Sequence, residues 1–324
     1  MTAVLVRAMV IVVGIGILGA ACSATSVGRS STPARGILYT SQAPGSTEDI
    51  RVLSPESGAS TVLVLGDSSS ARNLAAWSPD SRRIAFVREY GRRNELHVLD
   101  SVVGPSRRVG HDLPDAILFP DWSPDGRRLA VSAAATPEHP GVYLVDVASG
   151  RSRALRIDAS DYRCPSWSPR GDRLVVAAYT EATSALVVLD TLGVVRDTLV
   201  RSDTTYLDCP QWSPHGDQVL FTVLHGGGRS GWERAAFHSN LAIVSLSSRA
   251  VVQLTSDRGL TNYGRWARDG EWIVFQSDRH AAPTTDAAHV GQMLQNLEVW
   301  IIRRDGTGLR RLTTNTYFDA HPSW

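Results

Sequence analysis

Five stretches of this chain are variants of one phrase. "WSPDSRRIAFV" begins at Trp77, "WSPDGRRLAVS" at Trp122, "WSPRGDRLVVA" at Trp167, "WSPHGDQVLFT" at Trp212 and "WARDGEWIVFQ" at Trp266, so the tryptophans fall 45, 45, 45 and 54 residues apart. A period of that length means that one supersecondary unit has been copied, and no other feature of the sequence limits the fold as strongly. Between the phrases lie runs rich in β-branched residues: "ELHVLD" (95–100), "VYLVDV" (142–147), "ALVVLD" (185–190), "LAIVSL" (241–246) and "EVWIIR" (298–303). Turn residues such as "SVVG" or "DGTG" follow each of these, and then a short fourth run such as "VVQLT" (251–255) or "LRRLT" (309–313).

Each unit therefore supplies four short strands: one ending at the Trp, a second after the Ser-Pro-Asp-Gly turn, then a third and a fourth. Pro presets φ at its position and Asp or Gly accepts the reversal after it, so the turn is written locally. A four-stranded sheet cannot bury both faces alone, and at about 40 to 50 residues per unit the architecture that stacks such sheets is a β-propeller. The runs "ILYTS" (37–41), "DIRVLS" (49–54) and "STVLVL" (60–65) read as second, third and fourth strands with no first strand before them. "HPSW" (321–324), 58 residues beyond Trp266 at its own Trp324, reads as the missing one. The expected fold is all-β: a six-bladed β-propeller of four-stranded antiparallel blades over residues 36–324, closed by pairing of the C-terminal strand with the N-terminal blade.

With its Trp-Ser-Pro-Asp-Gly repeats, and with "IVFQSDRH" (273–280) and "DGTGLRRLTTN" (305–315), the sequence resembles the TolB-like, WD40-like (PD40) β-propeller family over residues 36–324. The resemblance implies the propeller fold and leaves the task open, because this repeat serves many functions. TolB itself carries a separate α/β domain ahead of its propeller, whereas only a short polar stretch precedes the repeats here.

The first residues read as a signal peptide, 1–21: Arg7 precedes an apolar run from Ala8 to Leu18 that leads into Gly19, Ala20, Ala21 and Cys22. "LGAAC" resembles a bacterial lipobox, which would make Cys22 the lipid anchor; ordinary cleavage near Ala21, leaving Cys22 free, is the alternative. Ser23 after the Cys, by resemblance to known lipoproteins, points to the outer membrane. Residues 22–35, "CSATSVGRSSTPAR", are small, polar and without apolar period, which reads as a flexible tether. The expected location is exported: periplasmic, or anchored to the outer membrane. "GIGILG" within the leader matches a dinucleotide fingerprint in letters only, since no strand-helix unit accompanies it. A net charge of +1 gives no footprint for nucleic acid, and the 33 basic residues, all Arg, read as codon bias rather than phosphate recognition.

Trp77, Trp122, Trp167, Trp212, Trp266 and Trp324 are expected between adjacent blades, as structural residues. Ligand contacts are expected on the face reached by the connections into the first strand and between the second and third. Two of these are long, 224–240 and 277–296, and hold His225, His238, His280 and His289 with Asp278 and Asp286. Three residues before each Trp, the repeats place His321, Leu74, Phe119, Cys164, Cys209 and Tyr263 as one layer near the axis, with Asp319, Asp208 and Asp161 close by on the loop side. The candidate binding residues are thus Asp319, His321, Tyr263, Asp208, Cys209, Asp161, His225, His238 and His280. No short His spacing marks a metal site, so none is expected, and no cofactor or catalytic residue is assigned. Cys164 and Cys209 are expected as two buried thiols, a disulfide being the alternative if the inner strands crowd the centre.

Two functional classes remain. The first is a non-enzymatic, monomeric module, tethered in the envelope by a lipid, that binds an envelope protein, peptide or glycan. The second is an envelope lyase or hydrolase with a metal- or His/Asp-based site in the funnel, built from Asp319, His321, Tyr263 and Asp208. Prolyl oligopeptidase-type enzymes carry a similar propeller, but their nucleophile sits in an attached hydrolase domain, and no G-x-S-x-G occurs here.

Overall fold

A computed structural model describes residues 36–43, 46–66, 71–91, 93–101, 104–134, 141–155, 161–225, 238–280, 296–315 and 317–324. The leader, Cys22, the tether 22–35, Asp286 and His289 lie outside the described residues.

The four-strand unit of the repeats is realised in six antiparallel sheets, five of them running from the axis outward in chain order. Five inner strands are continuous with their blades: Ala71–Trp77, Ala116–Trp122, Asp161–Trp167, Tyr206–Trp212 and Thr261–Trp266. The sixth comes from the far end of the chain. Phe318–Ser323 pairs antiparallel with Ile37–Gln42, so the first blade has an inner strand from one terminus and three outer strands from the other. Each inner strand touches the next around the ring, and the last returns to the first.

The sheets stay together because each hydrophobic cluster spans at least two blades. Ile37, Tyr39 and Leu53 of blade 1 pack with Val274, Val299 and Ile301 of blade 6, while Leu38, Ile50 and Val52 pack with Ile84 and Phe86 of blade 2. The repeat tryptophans lie in these seams. Trp122 is 6% exposed, carries the Arg83 guanidinium 4.7 Å over its ring, and donates its indole N–H to the Ala76 carbonyl at 3.1 Å. Trp77 donates likewise to Gly36, at 3.0 Å.

The Ser-Pro-Asp-Gly turns are closed from within. Ser123 Oγ donates to Asp125 at 2.6 Å and accepts from the Arg128 N–H at 2.9 Å, and Gly126 takes the φ of 65° that ends the reversal. Neighbouring turns also clasp each other: Arg83 Nη2 donates to the Gly126 carbonyl at 2.9 Å. Blade 1 has no such turn, since its first two strands come from opposite termini. Arg268, which stands where four other repeats have Pro, reaches across that place from blade 6 and donates to the carbonyls of Ser78 and Pro79 in blade 2.

Truncation of Trp122 to Ala removes a buried ring, its hydrogen bond and the surface beneath Arg83. The expected cost is about 3 to 5 kcal/mol, read as a lowered denaturation midpoint at unchanged m-value.

Candidate functional site: an axial layer and the cavity behind it

All six inner strands carry a one-residue bulge at the same place. In blade 3, for example, Leu118 pairs with Ser132 and Asp121 with Ala130, so that Phe119 and Pro120 face one residue of the neighbouring strand; the other five blades shift register equivalently. The first bulged residue is Leu74, Phe119, Cys164, Cys209, Tyr263 or His321, and each has a left-handed φ, between 43° and 55°. That conformation is costly for residues with a Cβ, and the next residue, Pro in four blades, ordinarily disfavours it further. Pro loses nothing there, because the unpaired bulge position has no ladder bond for an N–H to make.

The bulges turn these six side chains onto the axis, where they pack on one another. Phe119 and Tyr263 come from opposite sides of the ring and stack with centroids 5.7 Å apart; His321 meets Tyr263 edge-on at 5.1 Å. Cys164 and Cys209, in adjacent blades, form a disulfide with their Cα atoms 4.8 Å apart. This overturns the expectation of two separate buried thiols. The inner strands do crowd the centre, and 4.8 Å falls inside the span that a bridge needs. Together with Asp208, the two sulfurs form a cluster of metal-ligand type among the described residues, but bonded to each other they are no longer thiolates.

Toward the long loops the layer presents a polar rim. Asp208 accepts the Tyr179 hydroxyl and the Cys209 N–H, both at 2.8 Å, and burial together with the Asp208 charge pushes the Tyr179 phenol well above its usual range. Arg163 lies 5.5 Å over the Tyr179 ring and 4.0 Å from Asp161. His225 and His238 stack at 4.6 Å on facing positions at the base of their hairpin, and His280 is exposed. Asp319 lies in the inner strand Phe318–Ser323. It is wholly buried, and Asn315 in the loop entering its own strand donates to it at 2.8 Å, so its carboxylate secures that loop.

Among the described residues, a cavity lies on the other side of the layer. It measures about 330 Å³ and opens on the face of the short Ser-Pro turns, with Tyr263 and His321 at its floor. Its wall includes the residue just before each Trp: Ala76, Asp121, Ser166, Gln211, Arg265 and Ser323. Three of these close the seams between blades, since Asp121, Ser166 and Gln211 accept the backbone N–H of Trp167, Trp212 and Trp266, at 2.8, 3.3 and 2.7 Å. Arg265 has no acceptor to offer. Burial lowers its pKa, raises that of Asp121 across the axis, and holds His321 at about 4 with Arg265 adding to the effect. Loop length pointed to the opposite face; the signals for this one were the Pro after the bulged residue and the Arg within "YGRW".

The molecule is by these features a six-bladed β-propeller with a filled axis and a cavity on the turn face. Solved structures share the architecture. A TolB protein from Agrobacterium tumefaciens superposes with a TM-score of 0.63 at 17% identity, covering 86% of this chain and 89% of that one. TolB from Acinetobacter baumannii gives 0.65 at 16% identity over 89% of this chain and 66% of that chain. An oligogalacturonate lyase in complex with manganese gives 0.52 at 13% identity, over 86% and 73%. At these identities the likeness establishes the fold, and the chain is TolB-like in that sense. No family model and no curated protein matches the sequence.

Two measurements test the layer. A Cys22→Ser chain unfolded without reductant should show no free thiol, and both remaining cysteines should titrate after reduction. Between pH 6.5 and about 4 the unfolded chain binds a proton at His321 that the folded chain refuses, so stability should fall as pH drops through that window, by at most about 3 kcal/mol from this residue. His321→Asn, which tolerates the left-handed φ, should flatten the dependence of Tm on pH there.

Proposed function

We propose that this protein is a non-enzymatic binding propeller of the bacterial cell envelope, which takes part of a protein, peptide or glycan into the axial cavity. The observation that carries the reading is the make-up of the layer. The residues with chemical potential are occupied in packing: His321 stands edge-on to Tyr263 and is held neutral, Asp319 is buried under its loop, and the two thiols are joined. The cavity is lined by proline rings and the edges of the seam tryptophans, with a few fixed polar groups among them, the composition of a recognition site. Tyr263 and His321 form its floor; Asp208, Asp161, His225, His238 and His280 belong to the opposite rim, which serves as a second contact surface.

The envelope location rests on the leader and the lipobox-like "LGAAC", with Cys22 as anchor and the polar stretch after it as tether. The likeness in fold to TolB proteins agrees with it. The propeller acts as a monomer, and the lipid is its sole membrane attachment.

The mature chain, immobilised and exposed to an envelope extract, should retain a discrete partner. Ser323→Tyr places a ring in the cavity and should reduce retention at least tenfold at unchanged Tm; full retention would rule out the cavity as the site. In cells, Cys22 should incorporate a labelled lipid precursor and Cys22→Ser should not.

A further inference from the structure

The residue that departs from the pattern around the cavity is Arg265. At the equivalent position, three neighbours accept a hydrogen bond across a blade seam, and the remaining two, Ala76 and Ser323, are small. Arg265 instead lines the cavity as a half-buried guanidinium that makes no hydrogen bond to any described residue. Its electrostatic partners stand apart from it: Asp121 across the axis, and Tyr263 in its own strand. The Asp121 carboxylate is already committed, accepting the Trp167 N–H and the Ser166 hydroxyl.

A half-buried guanidinium facing a cavity keeps five N–H donors, and a ligand that displaces the water there must match them, because leaving them unmatched is expensive. The group that answers its planar fork is a carboxylate, bound through two parallel hydrogen bonds. We infer that Arg265 is the anchor of a carboxylate subsite, and that the ligand enters the cavity with a single carboxylate toward Arg265 and an apolar or aromatic body against the proline rings and tryptophan edges of the wall. This deepens the binding reading and rests on it. Asp121 sets the charge limit: it already balances Arg265, so a monocarboxylate brings one uncompensated negative charge into the cavity whereas a phosphate dianion would bring two, facing the Asp121 carboxylate across the axis. The volume of about 330 Å³ suits a small aromatic acid or the last residue or two of a peptide.

The test uses the whole mature chain and its intrinsic tryptophan fluorescence. The probes are Gly-Gly-Phe as the free acid and as the C-terminal amide, phenylacetate, and inorganic phosphate. The free acid is expected to bind at least tenfold more tightly than the amide, and phosphate is expected not to compete. Arg265→Gln should bring the acid down to the level of the amide, Arg265→Lys should fall between, and Asp121→Asn should leave the acid bound or tighten it. Should Arg265→Gln fail to fold, the Lys variant and the acid-amide comparison still decide. Competition by phenylacetate would assign the site to small carboxylates in general; binding of the tripeptide acid without phenylacetate would assign it to peptide carboxyl termini. Equal binding of acid and amide, indifference to Arg265→Gln, or no binding of any carboxylate would overturn the inference. If that occurred while the chain still held an envelope partner sensitive to Ser323→Tyr, the carboxylate subsite would fall and the binding reading would stand.

Discussion

The pairing of Phe318–Ser323 with Ile37–Gln42 is the contact on which the others depend, because it alone converts a row of sheets into a ring. A row has two ends, each with an apolar face in water; in the ring every blade face meets another, and Ile37 and Tyr39 find Val274 and Ile301. The axis exists only once this pairing is made. So does the meeting of Phe119 with Tyr263, which lie 144 positions apart in sequence and across the whole ring in space.

Ring closure alone would leave an open channel, and the bulges determine what becomes of it. Six left-handed residues in register set a floor across the opening and divide it into a polar rim and a cavity. Local strain is thereby exchanged for a rigid site. Backbone conformations of this kind cost on the order of 1 to 3 kcal/mol each, so the surrounding seams must hold them in place. The hydrogen bonds that Asp121, Ser166 and Gln211 accept from the next blade's Trp N–H lie two residues beyond the bulged position and do that at three of the blade boundaries.

The architecture was legible in the sequence because it is written in repeated, local chemistry: Trp at the strand end, Ser-Pro-Asp-Gly at the turn, β-branched runs between. Blade number and circular closure followed from counting. The axial layer was also reachable, since equivalent positions in equivalent repeats must share a radius. Its behaviour was less so. Periodicity places Cys164 and Cys209 at one height but not at 4.8 Å, a distance fixed by how tightly six strands pack around a centre. Repeat position puts Asp319 just before the axial layer on the loop side, but it does not disclose the residue's burial or its hydrogen bond from Asn315, four residues earlier. Loop length drew attention to one face, while among the described residues a cavity lies on the other, where the turns are short and the bulge recesses the floor.

The disulfide lies in blades 4 and 5, and the composite blade 1 is opposite blade 4 around the ring. Its inner strand holds to the second by hydrogen bonds, with the Arg268 clasp spanning the mouth. Such a toroid has a weak link and a rivet on opposing flanks. Under tension or partial denaturation the breach begins at the zipper and spreads both ways, and the riveted pair is the last portion to lose its shape. A propeller that opened this way could also close again from the same nucleus.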